Sequence, residues 1–289
     1  MHLLGSTPVV ALAAFAFLSF PANPSRAEDP QGAKAAFAVP AFRQVDATER
    51  PPSAKEVGTV RFLADAEFPP FSYRDDQGTL TGFNVALADA LCTELRLACE
   101  FIVKPWDEVE AALLKREGDA VLSGTRMTEA GLAKMSFTRP FLRTLGRFAV
   151  TAANESLTAD PRGLAGKRVG VMAKSAHEVF LEENFGRSTI RPFDTEDAAR
   201  EALKTGGIDA LFDDGFRLMF WLASADAEDC CRFAQGSYLD PRTVSRPIAI
   251  GVRSEDQALR RVLDYGLDRL QSEGTFATVY RRFFPMSVW

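Results

Sequence analysis

Histidine is nearly missing from this chain: there are two in 289 residues, His2 and His177. Nucleophilic hydrolysis is thereby disfavoured, and so is a histidine-built metal site; no Gly-x-Ser-x-Gly elbow and no phosphate-cradling glycine loop appear either. No cofactor and no metal are therefore expected. The chain also lacks any run dense in Lys and Arg, and with a net charge of −5 it does not read as a binder of nucleic acid or of anionic membranes. It has no apolar run of the roughly 20 residues that span a bilayer. The apolar stretch 9–20 is too short for that, and Ser25-Arg26-Ala27 follows it. Together these read as a secretory signal over residues 1–27, cut after Ala27. No cysteine stands at the cut, so no lipid anchor is expected there.

Residues 28–56 are rich in Ala, Pro and charge without a clear period, and are expected to be a disordered or extended leader. Cysteine is sparse: Cys92, Cys99, Cys230 and Cys231. In an exported chain they point to disulfides, and four cysteines allow three pairings. Cys92 and Cys99 on one continuous helix would lie roughly 10 Å apart along its axis, too far to bridge. A bond between them requires the helix to end near Leu95-Arg96, which the strand-like Glu100-Phe101-Ile102-Val103 permits. Cys230-Cys231 has three options: a vicinal bridge, reduced thiols, or partners elsewhere.

What is present is an ordinary globular composition, 46% hydrophobic and 25% charged, enough for two domains. The organising stretch is Gly118-Asp119-Ala120-Val121-Leu122-Ser123-Gly124-Thr125-Arg126, a short apolar run opening into small, polar and cationic residues. The same grammar returns in Ile208-Asp209-Ala210-Leu211-Phe212-Asp213-Asp214. Each copy follows a helical segment with an Ala-Leu pair, Ala112-Leu113 and Ala202-Leu203. Buried parallel strands read as continuous apolar runs, and open α/β sheets bind ligands beyond the carboxyl ends of such strands. Arg126 and Asp214 would stand there, suited to a small zwitterion. Strands are expected at 59–64, 167–171 and 247–252, helices after Gly82-Phe83-Asn84 with Asn84 as cap, from Trp106 to about Arg116, and over 259–270. Residues 146–151 are expected to cross between halves. Strand–loop–helix–strand order repeats, so each half should be a small parallel-rich α/β sheet.

At this point the residues resemble a known family: periplasmic solute-binding proteins of ABC importers for polar amino acids, with the type II Venus-flytrap fold. The motifs are Asp65-Ala66-Glu67-Phe68-Pro69-Pro70-Phe71, Gly82-Phe83-Asn84, Trp106-Asp107, residues 118–124, Phe137-Thr138-Arg139-Pro140-Phe141, residues 164–171, residues 208–214, and Gly274-Thr275-Phe276 with Tyr280 and Phe283-Phe284. The resemblance implies an α/β fold of two lobes, residues 57–147 with 247–289 and residues 148–246, hinged on two crossover strands. It also implies a monomer in the periplasm, a small amino-acid-like ligand, and a permease partner in the inner membrane. Cys92–Cys99 is similar to the single disulfide of the lysine/arginine/ornithine- and histidine-binding branch; Cys230-Cys231 has no counterpart.

Carried over residue by residue, Phe68 and Trp106 match the aromatics that sandwich the ligand, against the alternative of core rings. Asp65 matches the acid that reaches a distal amine, or is a strand-end acid. Ser123, Gly124 and Thr125 match the strand tip that offers polar partners, or form a plain turn. Ser175 and Ala176 match a helix start whose N–H groups receive the ligand carboxylate, with Lys174 in place of the usual Gly. Asp214 matches the carboxylate for the α-ammonium, or is a surface acid. The family's carboxylate-clamping arginine is Gly131 here. Arg126, at a position usually held by a small hydroxyl residue, either substitutes as the clamp or fills the pocket and changes the ligand class. Two alternatives share the fold: a dehydratase of the cyclohexadienyl type, with Glu67 or His177 as its acid, and an accessory or sensory module.

Overall fold

A computed structural model describes residues 39–40, 57–122 and 133–288. The chain opens with β1 (Val60–Ala64), a hairpin-like three-stranded sheet of β2 (Glu67–Phe68), β3 (Ser72–Arg74) and β4 (Leu80–Thr81), then α1 (Phe83–Leu95) and β5 (Cys99–Val103). A single 3₁₀ turn, Trp106–Glu108, leads into α2 (Val109–Leu114) and β6 (Ala120–Val121). After it come β7 (Met135–Phe137), β8 (Leu142–Arg143) and β9 (Gly146–Thr151). The second βα series is β10 (Arg168–Met172), α3 (Ala176–Asn184), β11 (Thr189–Phe193), α4 (Glu196–Lys204), β12 (Ala210–Asp214) and α5 (Gly215–Leu222). The chain closes with β13 (Cys231–Phe233), β14 (Pro247–Ile248), β15 (Gly251–Arg253), α6 (Gln257–Ser272) and α7 (Thr275–Phe283).

Two five-stranded sheets result, with the same plan. In the first, β5-β1-β6 run parallel and β15 and β7 add antiparallel edges; in the second, β11-β10-β12 run parallel and β9 and β13 add antiparallel edges. The repeat read from the sequence has a physical anchor at the foot of each sheet. Arg61 donates through its backbone N–H (3.1 Å) and Nε (2.9 Å) to Asp119, and Arg168 donates likewise to Asp209 (2.8 and 3.2 Å). Each pair fixes the first strand of a sheet against the residue that starts the third. The strand cores are Val60, Phe62 and Leu63 in one sheet and Val169, Val171, Ala210 and Phe212 in the other, all fully buried. The paired Leu113 and Leu203 are also fully buried under their sheets.

α1 buries Phe83, Leu87, Ala88 and Leu91, one face at helical spacing. It stops at Arg96, whose φ of 54° is left-handed, with the Leu97 N–H donating to the Cys92 carbonyl (2.9 Å). The chain turns back there, and Cys92 and Cys99 are disulfide-bonded with Cα atoms 6.2 Å apart. Cys230 and Cys231 are bonded to each other.

Three local expectations need correction. Asn84 does not cap α1: Gly82 is the N-cap residue, and Asn84 is 1% exposed with Nδ2 donating to the Leu122 carbonyl, tying the helix to the end of β6. Residues 146–151 do not cross between sheets, because β9 pairs with β12 from Gly146 onward. The crossing pair is β8 with β14, extended by Thr144 donating from N to the Arg246 carbonyl (3.0 Å). Finally, the helix expected from Trp106 begins as the 3₁₀ turn and becomes α-helical at Val109.

α5 joins the two halves. Phe216 and Met219 on one side pack into the first core with Phe71 and Phe284, and Leu218 and Trp221 on the other pack into the second. Arg147 of β9 is buried, sits 4.2 Å over the Phe233 ring, and donates to the carbonyls of Val288 (2.6 Å) and Ala234 (2.9 Å). Burial pushes its pKa down to about 10. Of the leader, Val39 packs against the first core.

Candidate ligand-binding site

Every described site candidate stands just past the carboxyl end of a parallel strand. Asp65 and Phe68 follow β1, Trp106 follows β5, Ser175 and Ala176 follow β10, and Asp214 ends β12. Ser123, Gly124, Thr125, Arg126 and Gly131 lie outside the described residues.

Phe68 and Trp106 are 43% and 58% exposed, whereas Phe71 and Phe83 are at 5% and 0%. The core reading of both is therefore overturned. Phe68 is held face-on by Phe71, with ring centroids 5.0 Å apart and planes 12° apart, and Phe71 is anchored edge-on against Phe216 and Phe284. The loop is pinned from below, since the N–H groups of Phe83 and Asn84 donate to the carbonyls of Pro70 and Phe71 (both 2.8 Å). Trp106 follows Pro105, whose fixed φ suits the start of the 3₁₀ turn. Asp65 is 6% exposed, and the fully buried Ser72 donates from Oγ to its carboxylate (2.9 Å).

On the second sheet Ser175 is the N-cap of α3. Its Oγ accepts from the Glu178 N–H (3.1 Å) and donates to the Met172 carbonyl (2.7 Å). Lys174 takes the left-handed φ of 56° that a glycine would occupy more easily, and its N–H donates to Glu178 Oε2 (2.5 Å). Glu178 is legible in the sequence as the last residue of a Ser-x-x-Glu capping box.

Asp214 is the N-cap of α5: Oδ1 accepts from the N–H groups of Phe216 (2.9 Å) and Arg217 (3.3 Å). Beside it Asp213, 4% exposed, accepts from the Arg217 guanidinium (2.6 Å) and the Asp214 N–H (2.8 Å). Arg217 also reaches Glu196 (3.0 Å), which in turn pairs with Arg200 (2.6 Å). Burial raises the Asp214 carboxyl above its ordinary value, and the Asp213 charge adds to this; burial also raises Asp213, with Arg217 opposing. Pattern alternation on β12 hides this division, because both acids look alike in the sequence. Arg217, which balances them, was missed for the same reason. Glu67 is exposed on β2, and His177, in the first turn of α3, lies against Phe212 with ring centroids 5.6 Å apart, so the two candidate acids stand on different elements.

Twin α/β sheets joined by a two-strand crossing, with aromatic and acidic residues at their strand ends, define a two-lobe solute-binding protein. The chain belongs to the bacterial extracellular solute-binding proteins, family 3, which it matches over residues 60–286. It is 29% identical over 234 residues to the putative ABC transporter arginine-binding protein 2 of Escherichia coli K12, covering 80% of this chain and 93% of that one. It is 27% identical over 232 residues to the histidine-binding periplasmic protein of the same strain, covering 80% and 89%. Among solved structures, an ancestral cationic amino acid solute-binding protein is 26% identical, with a TM-score of 0.59 over 79% of this chain and 96% of that one.

Proposed function

We propose that the protein captures a small amino acid in the periplasm and delivers it as a monomer to an ABC importer. The observation that carries this is the pair of exposed rings, Phe68 and Trp106, near strand ends of the first sheet, where Asp65 also stands, with Asp214 at a strand end of the second. Apolar faces flanked by acids suit an aliphatic stem bearing an ammonium or guanidinium group. In this reading Asp214 takes the α-ammonium and Asp65 a distal cation. Ser175 and Ala176 receive the carboxylate, with Ser123, Gly124, Thr125 and Arg126 completing the pocket; Arg126 supplies the clamp that Gly131 lacks. Residues 1–27 are a signal removed on export, 28–56 a leader, and the lobes close about β8 and β14. The names of the relatives point to arginine and histidine as the first ligands to try. Capture and release require no bond to be made or broken.

The test is a thermal-shift and calorimetric panel of the natural amino acids and small carboxylates against wild type and Arg126→Ala. A ligand at a hundred times its Kd stabilises the native state by about 2.7 kcal/mol. At least one amino acid should do so, and the variant should lose the response while keeping its fold. Silence across the panel would overturn the reading, and an unchanged variant would remove Arg126 from the site.

A further inference from the structure

Two disulfides occur in this chain, and their positions give them different jobs. Cys92–Cys99 ties the end of α1 to the start of β5 across seven positions, and Cys92 lies in the first core. A bond that closes such a loop restrains the unfolded chain, which is how disulfides stabilise folds. Cys230–Cys231 joins neighbours in sequence. It closes no loop beyond one peptide unit, so it removes little chain entropy on its own.

The backbone around the vicinal pair is held by other means. The Cys230 N–H donates to the Ala227 carbonyl (2.9 Å), the Cys230 carbonyl accepts from Ala152 (2.9 Å), and Cys231 pairs with Thr151 in β9. Glu228 and Asp229, both left-handed at φ 51° and 52°, form the preceding turn. That turn is tied down by Lys204, whose Nζ reaches Glu228 (2.5 Å) and the Asp226 carbonyl (3.1 Å). Both cysteines also pack against the cluster of Leu203, Leu218 and Trp221. None of these contacts needs the sulfur–sulfur bond.

The pair is also reachable. β13 is the edge strand of its sheet, and both residues are half-buried rather than buried.

We infer that Cys230–Cys231 is a site of reversible thiol–disulfide exchange with external dithiols, which opens without unfolding the protein, while Cys92–Cys99 is the structural staple. In the exchange a thiolate of the dithiol attacks one of the two sulfurs. The bond between Cys230 and Cys231 breaks, a mixed disulfide forms, and the released cysteine thiolate takes a proton. The second thiolate of the dithiol then attacks its own sulfur in the mixed disulfide and frees the other cysteine. Overall a dithiol is oxidised to a cyclic disulfide and the protein disulfide is reduced to two thiols, with two electrons transferred.

The experiment treats the oxidised full chain with limiting dithiothreitol under native conditions, alkylates the thiols, and locates them by peptide mass spectrometry alongside thermal melting. Cys230 and Cys231 should be alkylated while Cys92 and Cys99 remain bonded. The melting temperature should fall by no more than about 3 °C, as expected for a loss of under about 1 kcal/mol. Excess oxidised glutathione, a stronger oxidant than the cyclic disulfide of dithiothreitol, should restore the bond in unalkylated protein freed of the reductant. Alkylation of Cys92 and Cys99 first or together with the pair would overturn the inference. So would labelling that appears only after denaturant, or a melting loss equal to that of Cys92→Ser with Cys99→Ser. The Cys230→Ser, Cys231→Ser protein should melt like the reduced form, and a collapse of its fold would count against the assignment. None of these readouts depends on the ligand.

Discussion

Gly82 is the position where one methyl group should do most damage to both fold and site. It stands between β4 and α1 with φ 122° and ψ 175°, a backbone that residues with a Cβ rarely adopt. A Cβ there would lie 2.4 Å from the Phe71 carbonyl oxygen, 2.7 Å from its carbon and 2.9 Å from the Pro70 oxygen. All three are backbone atoms, so no side chain can swing away. The two oxygens are also the acceptors that pin the Phe68 loop to α1 through the N–H groups of Phe83 and Asn84. Strain at positive φ costs about 1–3 kcal/mol, and overpacking against fixed atoms another 1–3 kcal/mol. Gly82→Ala should therefore lose about 2–6 kcal/mol, or roughly 4–24 °C in Tm at 2–4 °C per kcal/mol for a protein of this size. Gly78→Ala is the control: its φ of 78° is also positive, but nothing lies within 4 Å of its Cβ, so backbone strain alone should cost about 1 kcal/mol. Differential scanning calorimetry on both variants measures the difference. In the ligand assay Gly82→Ala should also weaken binding by about tenfold or more, because moving the loop moves Phe68. If Gly82→Ala melted within 2 °C of Gly78→Ala, the close approach of Phe71 to α1 would not be what holds the loop, where 2 °C is about the effect of half to one kcal/mol.

Asp214→Asn keeps an N-cap side chain of equal quality, so stability should stay within about 1 kcal/mol while ligand affinity falls by about 30-fold or more; calorimetric titration with the best amino acid checks this, and an unchanged Kd would take Asp214 out of the site. Cys92→Ser with Cys99→Ser should cost about 2–3 kcal/mol from the loop that the bond closes, read as a lower urea midpoint at constant m-value. The feet of the sheets set the acid limb of stability. Burial raises Asp119, but bonds from Arg61 and Arg253 outweigh it and leave the carboxyl below its ordinary value; at Asp209 the Arg168 bond lowers it against burial. A carboxyl depressed in the folded state adds stability above its unfolded pKa of about 4, and that stability is lost as pH falls through the lower folded value. Melting temperature should therefore drop steeply below about pH 4, and Asp119→Asn with Asp209→Asn should flatten that drop. An equally steep acid limb in the double variant would refute the assignment.

The two sheets were legible because buried parallel strands leave an unbroken apolar record, as in Val169-Gly170-Val171 and Ala210-Leu211-Phe212, and because each strand start carries the same Arg or Asp partner. The residues that turn those sheets into a site were legible only in kind. An Asn three residues into a motif before a helix reads as a cap, yet Asn84 serves as a buried tie between α1 and β6, and no local pattern distinguishes the two uses. Phe68 and Phe71 look equivalent in the sequence. One is exposed and the other buried because Phe71 is caught between Phe216 and Phe284, residues that lie more than a hundred positions away.

Asp213 and Asp214 show most clearly where local reading stops. Alternation along β12 sends adjacent side chains to opposite faces, so two neighbouring acids cannot both face the ligand end. Which one does is decided by the start of α5. The helix needs an acceptor for its first N–H groups, and only the residue immediately before Gly215 can supply it, so Asp214 is turned toward the strand end while Asp213 is turned inward. Asp213 is tolerated there because Arg217, one turn further along the same helix, reaches back to it. A cation in the first turn works against the helix dipole, so its presence is explained by the buried carboxylate and not by the helix. Asp214 is thus held by a cap, and Arg217 offsets part of the charge of its neighbour Asp213; both devices belong to α5, the helix that also packs into the first core.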